Sequence, residues 1–402
     1  MPRLATGSLA ERLRVMPAVV VTGARQTGKS TLVDQEEFGS RTYRSLDDLD
    51  VLKLAQTDPT ALVTGPSPVT VDEVQRAPGL LQAVKAAIDG HREPGQFLLT
   101  GSANLLLMRQ VSESLAGRAS YMTLWPLTRR EQLGLGTAGV WTELLSTPHS
   151  GWKQLLASRT VPREDWRELA LRGGFPTPAL HLPASRERSI WFDGYVQTYL
   201  QRDLQDLASI AALPDVRRLM RATALRLGQL VNQTELGREL GIPQPTVHRY
   251  LNLLETSYVL TRLPPYSNNR NKRLVKTPKL YWSDTGLALH VAGQAEATGG
   301  HLENIVLNDL LVWRDAQVLR VELFHWRTSL GEEVDLVIET PEALLPIEIK
   351  ATRRPRLANA AHLRTFVREY GDLAGAGLLL HDGDELEWLT PDVLAAPWWR
   401  VV

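Results

Sequence analysis

Gly23-Ala24-Arg25-Gln26-Thr27-Gly28-Lys29-Ser30 is the stretch that decides how this chain is read. The apolar run Ala18-Val19-Val20-Val21 before it predicts a buried strand, and Thr31-Leu32-Val33 after it can start a helix. Strand, GxxxxGK(S/T) and helix in that order make a phosphate-binding P-loop. The glycines let backbone N–H groups curl around a β-phosphate, and the helix N-terminus adds partial positive charge. Gly23 through Thr31 are therefore the candidate nucleotide-binding residues. Lys29 can reach the β- and γ-phosphates, and the Ser30 hydroxyl can ligate Mg2+. A glycine turn with an exposed lysine is the competing reading, and the flanking strand and helix count against it.

Further along, Thr42-Tyr43-Arg44-Ser45-Leu46 reads as a short strand, and Asp50 to Gln56 as a helix stopped at Asp58-Pro59. Pro68-Val69-Thr70-Val71-Asp72-Glu73-Val74 is an apolar strand ending in two acids, the form of a Walker B element. Asp72 would hold Mg2+ through water, and Glu73 would polarise the attacking water as general base. Gln96 to Ser102 predicts another strand, and in a parallel sheet its carboxyl end faces the nucleotide. Thr100 or Ser102 could orient the water there as a sensor, with Ser102 favoured. Glu113 to Gly117 reads as a glycine-ended helix before the strand Ala119 to Leu124. Arg118 is a candidate arginine finger reaching a neighbouring subunit's γ-phosphate. It could equally pack against its own domain.

Composition bounds the partners. The chain has 402 residues, with Lys+Arg and Asp+Glu both at 45, so any surface for an anionic partner must be a local patch. Cysteine is absent, which excludes disulfides and thiolate zinc sites and fits a reducing cytoplasm. The start, Met-Pro-Arg-Leu-Ala-Thr, lacks the apolar region of a signal peptide, and no apolar run reaches membrane-spanning length. The expectation is a cytoplasmic protein with no membrane partner.

The motifs GARQTGKS, YRSLDD, VTVDEVQRAPGL, FLLTGSANL and ESLAGRA together resemble the AAA-type ATPases that carry a C-terminal DUF4143 domain. Gly173-Gly174-Phe175-Pro176, the segment Tyr195 to Asp203 and the C-terminal acids described below agree. The resemblance spans nearly the whole chain. It implies an AAA+-like α/β ATPase core at residues 1–128 using ATP and Mg2+, and it leaves the biological role open.

Residues 129–210 read as an irregular helical lid or linker, with Trp191 to Asp206 one amphipathic helix whose aromatics pack against the ATPase core. Asp215 to Val231 predicts another helix. After it, a short helix capped by Thr234, a turn at Gly241 and a helix with apolar Val247, Leu251 and Leu254 form a helix-turn-helix. Tyr258 to Leu263 and Lys279 to Trp282 could pair as strands, which makes residues 211–275 a winged helix. Gln244, Thr246, His248 and Arg249 would then lie on the recognition helix, and Arg270, Lys272 and Arg273 would sit on DNA phosphates. Winged helices also serve as protein-contact modules.

In the last part, residues 276–402, Glu303 sits on an apolar helix. Glu333 to Ile338 and Leu345 to Lys350 read as neighbouring strands after the strand Val321 to Arg327. Alternation puts Glu348 and Lys350 on one face, where Asp335 can meet them. Three carboxylates and a lysine can bind Mg2+ and activate water for phosphodiester cleavage. The pattern E…D-x12-E-x-K resembles the PD-(D/E)XK, restriction-endonuclease-like fold, with Val334 where that fold has proline. The leading expectation is an ATPase, candidate homo-oligomer, coupling ATP turnover to DNA binding or processing. The alternative is a nucleotide-gated interaction protein with an inactive nuclease-like domain. A P-loop kinase is disfavoured, because Asp72-Glu73 is arranged for water attack and no acceptor site is visible.

Overall fold

Successive residues of a strand point to opposite faces of a sheet, and here both faces are covered. Ala18 and Val20 enter one buried cluster with Val71, Phe97 and Leu99. Val19 and Val21 enter another with Leu9, Leu98 and Met122. Burial on both sides is why these strands are continuously apolar rather than alternating. In the computed structural model, which describes residues 1–64, 68–101, 115–159, 161–199, 213–267, 277–318, 320–371 and 373–402, five strands form this first sheet. They are β1 (Ala18–Thr22), β2 (Thr42–Ser45), β3 (Val69–Asp72), β4 (Phe97–Thr100) and β5 (Ala119–Thr123). The order is β2-β3-β4-β1-β5, every pair parallel. All five carboxyl ends therefore lie along one edge, and β1 stands inside, between β4 and β5.

The middle of the chain departs from expectation in three places. The helix predicted to reach Val231 is Leu213–Leu225. Beyond it Gly228 takes φ 78° and donates its N–H to Leu280 O at 2.7 Å, and Leu230 bridges Lys279, so strand-like pairing replaces two helical turns. The next helix, Gln233–Leu240, is capped by Asn232 rather than Thr234. The Asn232 Oδ1 accepts from the N–H groups of Thr234 and Glu235, the bonds a capping side chain makes. The aromatic helix is described as Ser185–Thr198. Its Trp191 and Tyr195 gather on Phe175, at 5.4 and 4.8 Å between ring centroids, and Phe192 packs on His290. The aromatics thus pack within the middle region.

Helix Gln244–Thr256 follows a short turn, with Val247, Leu251 and Leu254 wholly buried. Strand β6 (Leu260–Leu263) then pairs antiparallel with β7 (Lys279–Trp282). The C-terminal part begins with helix Gly299–Ala316 and builds a six-stranded mixed sheet. Strands β8 (Glu322–Arg327), β9 (Glu333–Glu339) and β10 (Leu344–Lys350) run antiparallel. Helix Ala361–Glu369 then leads to β11 (Gly377–His381), parallel to β10. Strands β12 (Glu387–Thr390) and β13 (Val393–Pro397) complete the sheet, and its last turn, Trp398–Val401, folds back on the middle region. There Arg129 Nη1 donates to Val402 O at 2.9 Å, and Trp388 stacks on Trp152.

Gly173-Gly174-Phe175-Pro176 closes against Asp284, whose buried carboxylate accepts from the N–H groups of Gly174, Phe175 and Leu287 at 2.6, 3.1 and 2.7 Å. A Cβ at Gly173 would come within 2.5 Å of that carboxylate, and one at Gly174 within 2.5 Å of Leu127 O, so both positions demand glycine. Asp284→Ala strands three buried donors, each worth about 1–3 kcal/mol. We expect a loss of at least about 3 kcal/mol in urea unfolding, and a smaller loss for Asp284→Asn, which keeps one acceptor.

Candidate functional site

The loop after β1 is shaped by its neighbours as much as by its own residues. Gly23 has φ 142°, and a Cβ there would lie 2.3 Å from Leu124 O, so no other residue fits. Gln26 adopts φ 63°, a strained value for a side-chain-bearing residue, and Gly28 at φ 90° opens the helix Lys29–Val33. Lys29 is 5% exposed, and its ammonium donates to Ala24 O at 2.8 Å and Gly23 O at 3.3 Å. Thr27 Oγ1 also bonds Ala24 O, at 3.0 Å. Ser30 and Thr31 stand open to solvent at the helix start.

Asp72 ends β3, almost fully buried, beside the loop's edge of the sheet. One of its oxygens accepts from Tyr43 OH at 2.9 Å and the other from Thr100 Oγ1. Thr100 Oγ1 in turn accepts from the Glu73 N–H at 3.2 Å, so one hydroxyl fixes both acids. Glu73 sits at φ 60°, and its carboxylate accepts from the Gln75 side-chain amide. Burial raises Glu73 above the usual carboxylate range, with Lys29 and the Gln75 bond opposing. The donor set fits a hydrated Mg2+: a hydroxyl at Ser30 and a hard carboxylate at Asp72, on one edge of the sheet.

Arg3 belongs to this site, and sequence reasoning missed it. Its guanidinium donates to Thr27 O at 3.0 Å and Trp125 O at 2.7 Å, and pairs with the fully buried Glu131 at 3.0 Å. Nothing in Met-Pro-Arg at a chain start signals a residue that braces the loop from outside.

The C-terminal acids do come together, around a cation the sequence reading did not include. Lys279 of β7 is 3% exposed. Its ammonium lies 2.5 Å from Glu333, 3.1 Å from Asp335 and 3.9 Å from Glu303. Burial opposes its charge, but Asp335, Glu303 and Glu333 outweigh burial and hold its pKa above that of a free lysine. Asp335 also accepts from the Ile349 N–H at 3.0 Å, Tyr281 OH donates to Glu303, and Lys350 pairs with Glu348 at 2.5 Å. Glu303, Asp335 and Glu348, expected to converge on Mg2+, lie in one cluster with the ammonium groups of Lys279 and Lys350. Among the described residues no three acid, histidine or cysteine side chains are arranged to hold a metal ion. The reason is long-range: β7 carries Lys279 from another unit into the cluster.

Three family models match successive stretches of the chain. The AAA domain family matches residues 16–133, the domain of unknown function DUF8612 residues 163–298, and the domain of unknown function DUF4143 residues 298–401. An uncharacterised protein of Mycobacterium tuberculosis is 30% identical over 98% of this chain and 83% of its own length, and one of Mycobacterium bovis matches to the same extent. The chain belongs to the family of AAA-type P-loop ATPases with a C-terminal DUF4143 domain. Another uncharacterised relative, from Haemophilus influenzae, is 24% identical over 73% of this chain and 74% of its own. Among solved structures, the Walker-type ATPase of Pyrococcus abyssi matches at TM-score 0.45 and 16% identity, over 72% of this chain and 98% of that one. The Holliday junction branch migration motor RuvB of Thermotoga maritima matches at TM-score 0.29 and 20% identity, over 67% and 91%. Likeness at that level says nothing of what this ATPase acts on.

Other predicted residues of this DUF4143 ATPase lie elsewhere. Arg118 makes a two-pronged ion pair with Asp89, at 2.6 and 2.9 Å. It precedes Ala119, which pairs with Ala18 at the start of β1, so it lies at the edge opposite its own P-loop. Gln244 and His248 both contact Gln233 Oε1, at 3.3 and 3.2 Å, and His248 also meets Asn252. Thr246 is half-buried, and Arg249 lies over the Tyr250 ring. Ser102, Arg270, Lys272 and Arg273 lie outside the described residues. Among the described residues no helix is long and apolar enough to cross a membrane.

The acid cluster makes stability depend on pH. Burial, then the charge of Asp335, pushes both Glu303 and Glu348 up from 4.5 to about 8. Between those values the folded chain holds protons that the unfolded chain has released, so stability falls as pH rises through the window and levels off above it. Thermal melts from about pH 5 to about pH 8 should show that decline. Glu348→Gln, which cannot titrate, should flatten it.

Proposed function

We propose that this ATPase is a Mg2+-dependent ATP hydrolase whose turnover is coupled to DNA binding. The observation that carries the hydrolytic reading is the arrangement Asp72–Thr100–Glu73 beside the P-loop. It sets a buried acid and a base of raised proton affinity next to the loop that would cradle the phosphates. Ser30 and Asp72 would hold Mg2+, which neutralises charge on the β- and γ-phosphates. Lys29 would turn from its backbone carbonyls to the phosphates as they enter. Glu73, oriented by its N–H bond to Thr100, takes the proton of the attacking water. Ser102 completes the sensor position. Arg118 would serve a neighbouring subunit in a homo-oligomer, after releasing Asp89. The protein is read as cytoplasmic.

DNA is proposed to meet the winged helix at residues 211–275, through Gln244, Thr246, His248 and Arg249, with Arg270, Lys272 and Arg273 on phosphates. The second reading is an interaction protein whose nuclease-like domain does not cut. Lys279 favours it, because an ammonium stands among the carboxylates that would hold the metal.

Lys29→Ala should weaken ATP binding and abolish turnover. Glu73→Gln should keep binding and lower kcat by about 10²–10⁴-fold, because only the base is removed. Phosphate-release assays beside equilibrium binding of a fluorescent ATP analogue separate the two effects. Wild-type turnover in Glu73→Gln would reassign the base. A rise of turnover on adding DNA supports the coupling, and its absence favours the interaction protein.

A further inference from the structure

The strand that carries Glu348 and Lys350 runs into Ala351-Thr-Arg-Arg-Pro-Arg-Leu-Ala-Asn359, the most basic loop of the described C-terminal part. Arg353, Arg354 and Arg356 are all exposed. Among the described residues none of the three guanidinium groups has an acid within ion-pair distance. Three of the neighbouring acids are engaged elsewhere: Asp384 pairs with Arg163 at 2.5 Å, Asp382 with Arg167 at 3.6 Å, and Glu348 with Lys350. Glu303, Glu333 and Asp335, close behind the strand, gather on the Lys279 ammonium. In a chain of zero formal net charge, this loop is left as a local excess of positive charge.

The loop is also held in shape. Thr352 O accepts from the Asp382 N–H at 2.9 Å, and Asn359 Oδ1 from the Arg356 N–H at 2.8 Å. Gly383 packs so closely on Arg353 O that a Cβ would come within 2.0 Å. Lys350, Ala351, Thr352, Arg354, Arg356 and Asn359 line an open cleft of about 480 Å³ with no acid in its wall. The 18-residue helix Gly299–Ala316 begins beside it, with a Cβ at Gly299 reaching Ala351 at 3.8 Å, so the positive end of its dipole adds to the field.

We infer that this loop and cleft bind the phosphodiester backbone of nucleic acid. Arginine forks match phosphate oxygens in pairs. An open, charged cleft follows a strand, whereas a mononucleotide needs an enclosed pocket. The cleft offers no base-reading helix or ribbon, so binding is independent of sequence. The inference rests on the DNA-coupled reading above and moves the main contact from the 244–256 helix, whose side chains bond one another, to the C-terminal domain. Because Lys279 occupies the acid cluster, the backbone is held and not cut.

The test is fluorescence anisotropy with a labelled duplex of about 30 base pairs and a single strand of scrambled sequence, each over a salt series. The proteins are the full chain, R353A/R354A/R356A, the matching triple lysine variant, and H248A/R249A. Each duplex phosphate contact contributes a log–log slope of roughly 0.9. The triple alanine variant should lose about tenfold or more in affinity and about 2–3 in slope, with thermal midpoint and basal ATP turnover unchanged. The triple lysine variant should keep most of both, and H248A/R249A should lose less of either than the triple alanine variant. Wild-type binding that survives the triple alanine change, in affinity and slope, overturns this inference and leaves the DNA-coupled reading standing. No binding of either nucleic acid by wild type overturns both. Binding to anionic phosphatidylserine vesicles instead of nucleic acid would also overturn the inference, assigning the loop to a membrane surface.

Discussion

Parallel strands all end at the same edge of their sheet, and the function of the first domain depends on that constraint. Strand β1 releases the phosphate-binding loop there, β3 ends there in Asp72, and β4 ends there in Thr100. Because β3 and β4 are hydrogen-bonded neighbours, a single threonine hydroxyl can bond Asp72 and the Glu73 N–H together. A sheet buried on both faces holds those ends rigidly, so the acids meet the loop without an ordering cost at the moment of reaction.

The loop is not an isolated device. Arg3 ties the Thr27 carbonyl to Trp125 and Glu131, and Trp125 donates its indole N–H to Asp315 of the helix that leads the C-terminal domain. Thr22, the residue before Gly23, shares a 2.8 Å hydrogen bond with Tyr258, which follows helix Gln244–Thr256 and takes φ 57°. One buried cluster runs from Ala24 and Trp125 through the middle helices to the C-terminal sheet. A nucleotide that reshapes the loop therefore pushes on residues shared with both other parts of the chain, the physical condition for coupling between them.

Charge is distributed by the same logic. Equal numbers of acids and bases hide an uneven surface, because most described arginines and lysines near the C-terminal cluster are used internally and those of the loop after β10 are not. The buried acids keep Lys279 charged, and Lys279 makes their crowding tolerable; removing it would leave several carboxylates uncompensated, the costly case for buried ions.

The P-loop and the Asp72-Glu73 pair were legible because their chemistry depends on residues close in sequence: strand period, glycine placement and helix start are local properties. The alternation that put Glu348 and Lys350 on one face of β10 was legible for the same reason. Arg3, Lys279 and Asp284 were not, since each acts across a gap of many residues on partners that no local pattern marks. The helix that stops at Leu225 shows the principle in backbone form, because pairing of Leu230 with Lys279 overrode a good local helix pattern. By itself the sequence determined an α/β nucleotide-binding domain and a strand order of acids near the C-terminus. Only tertiary structure decided that those acids surround an ammonium, and that the arginines beside them make no ion pair among the described residues. Electrostatic partners are chosen by proximity in space, and proximity between distant segments is a property of the folded chain.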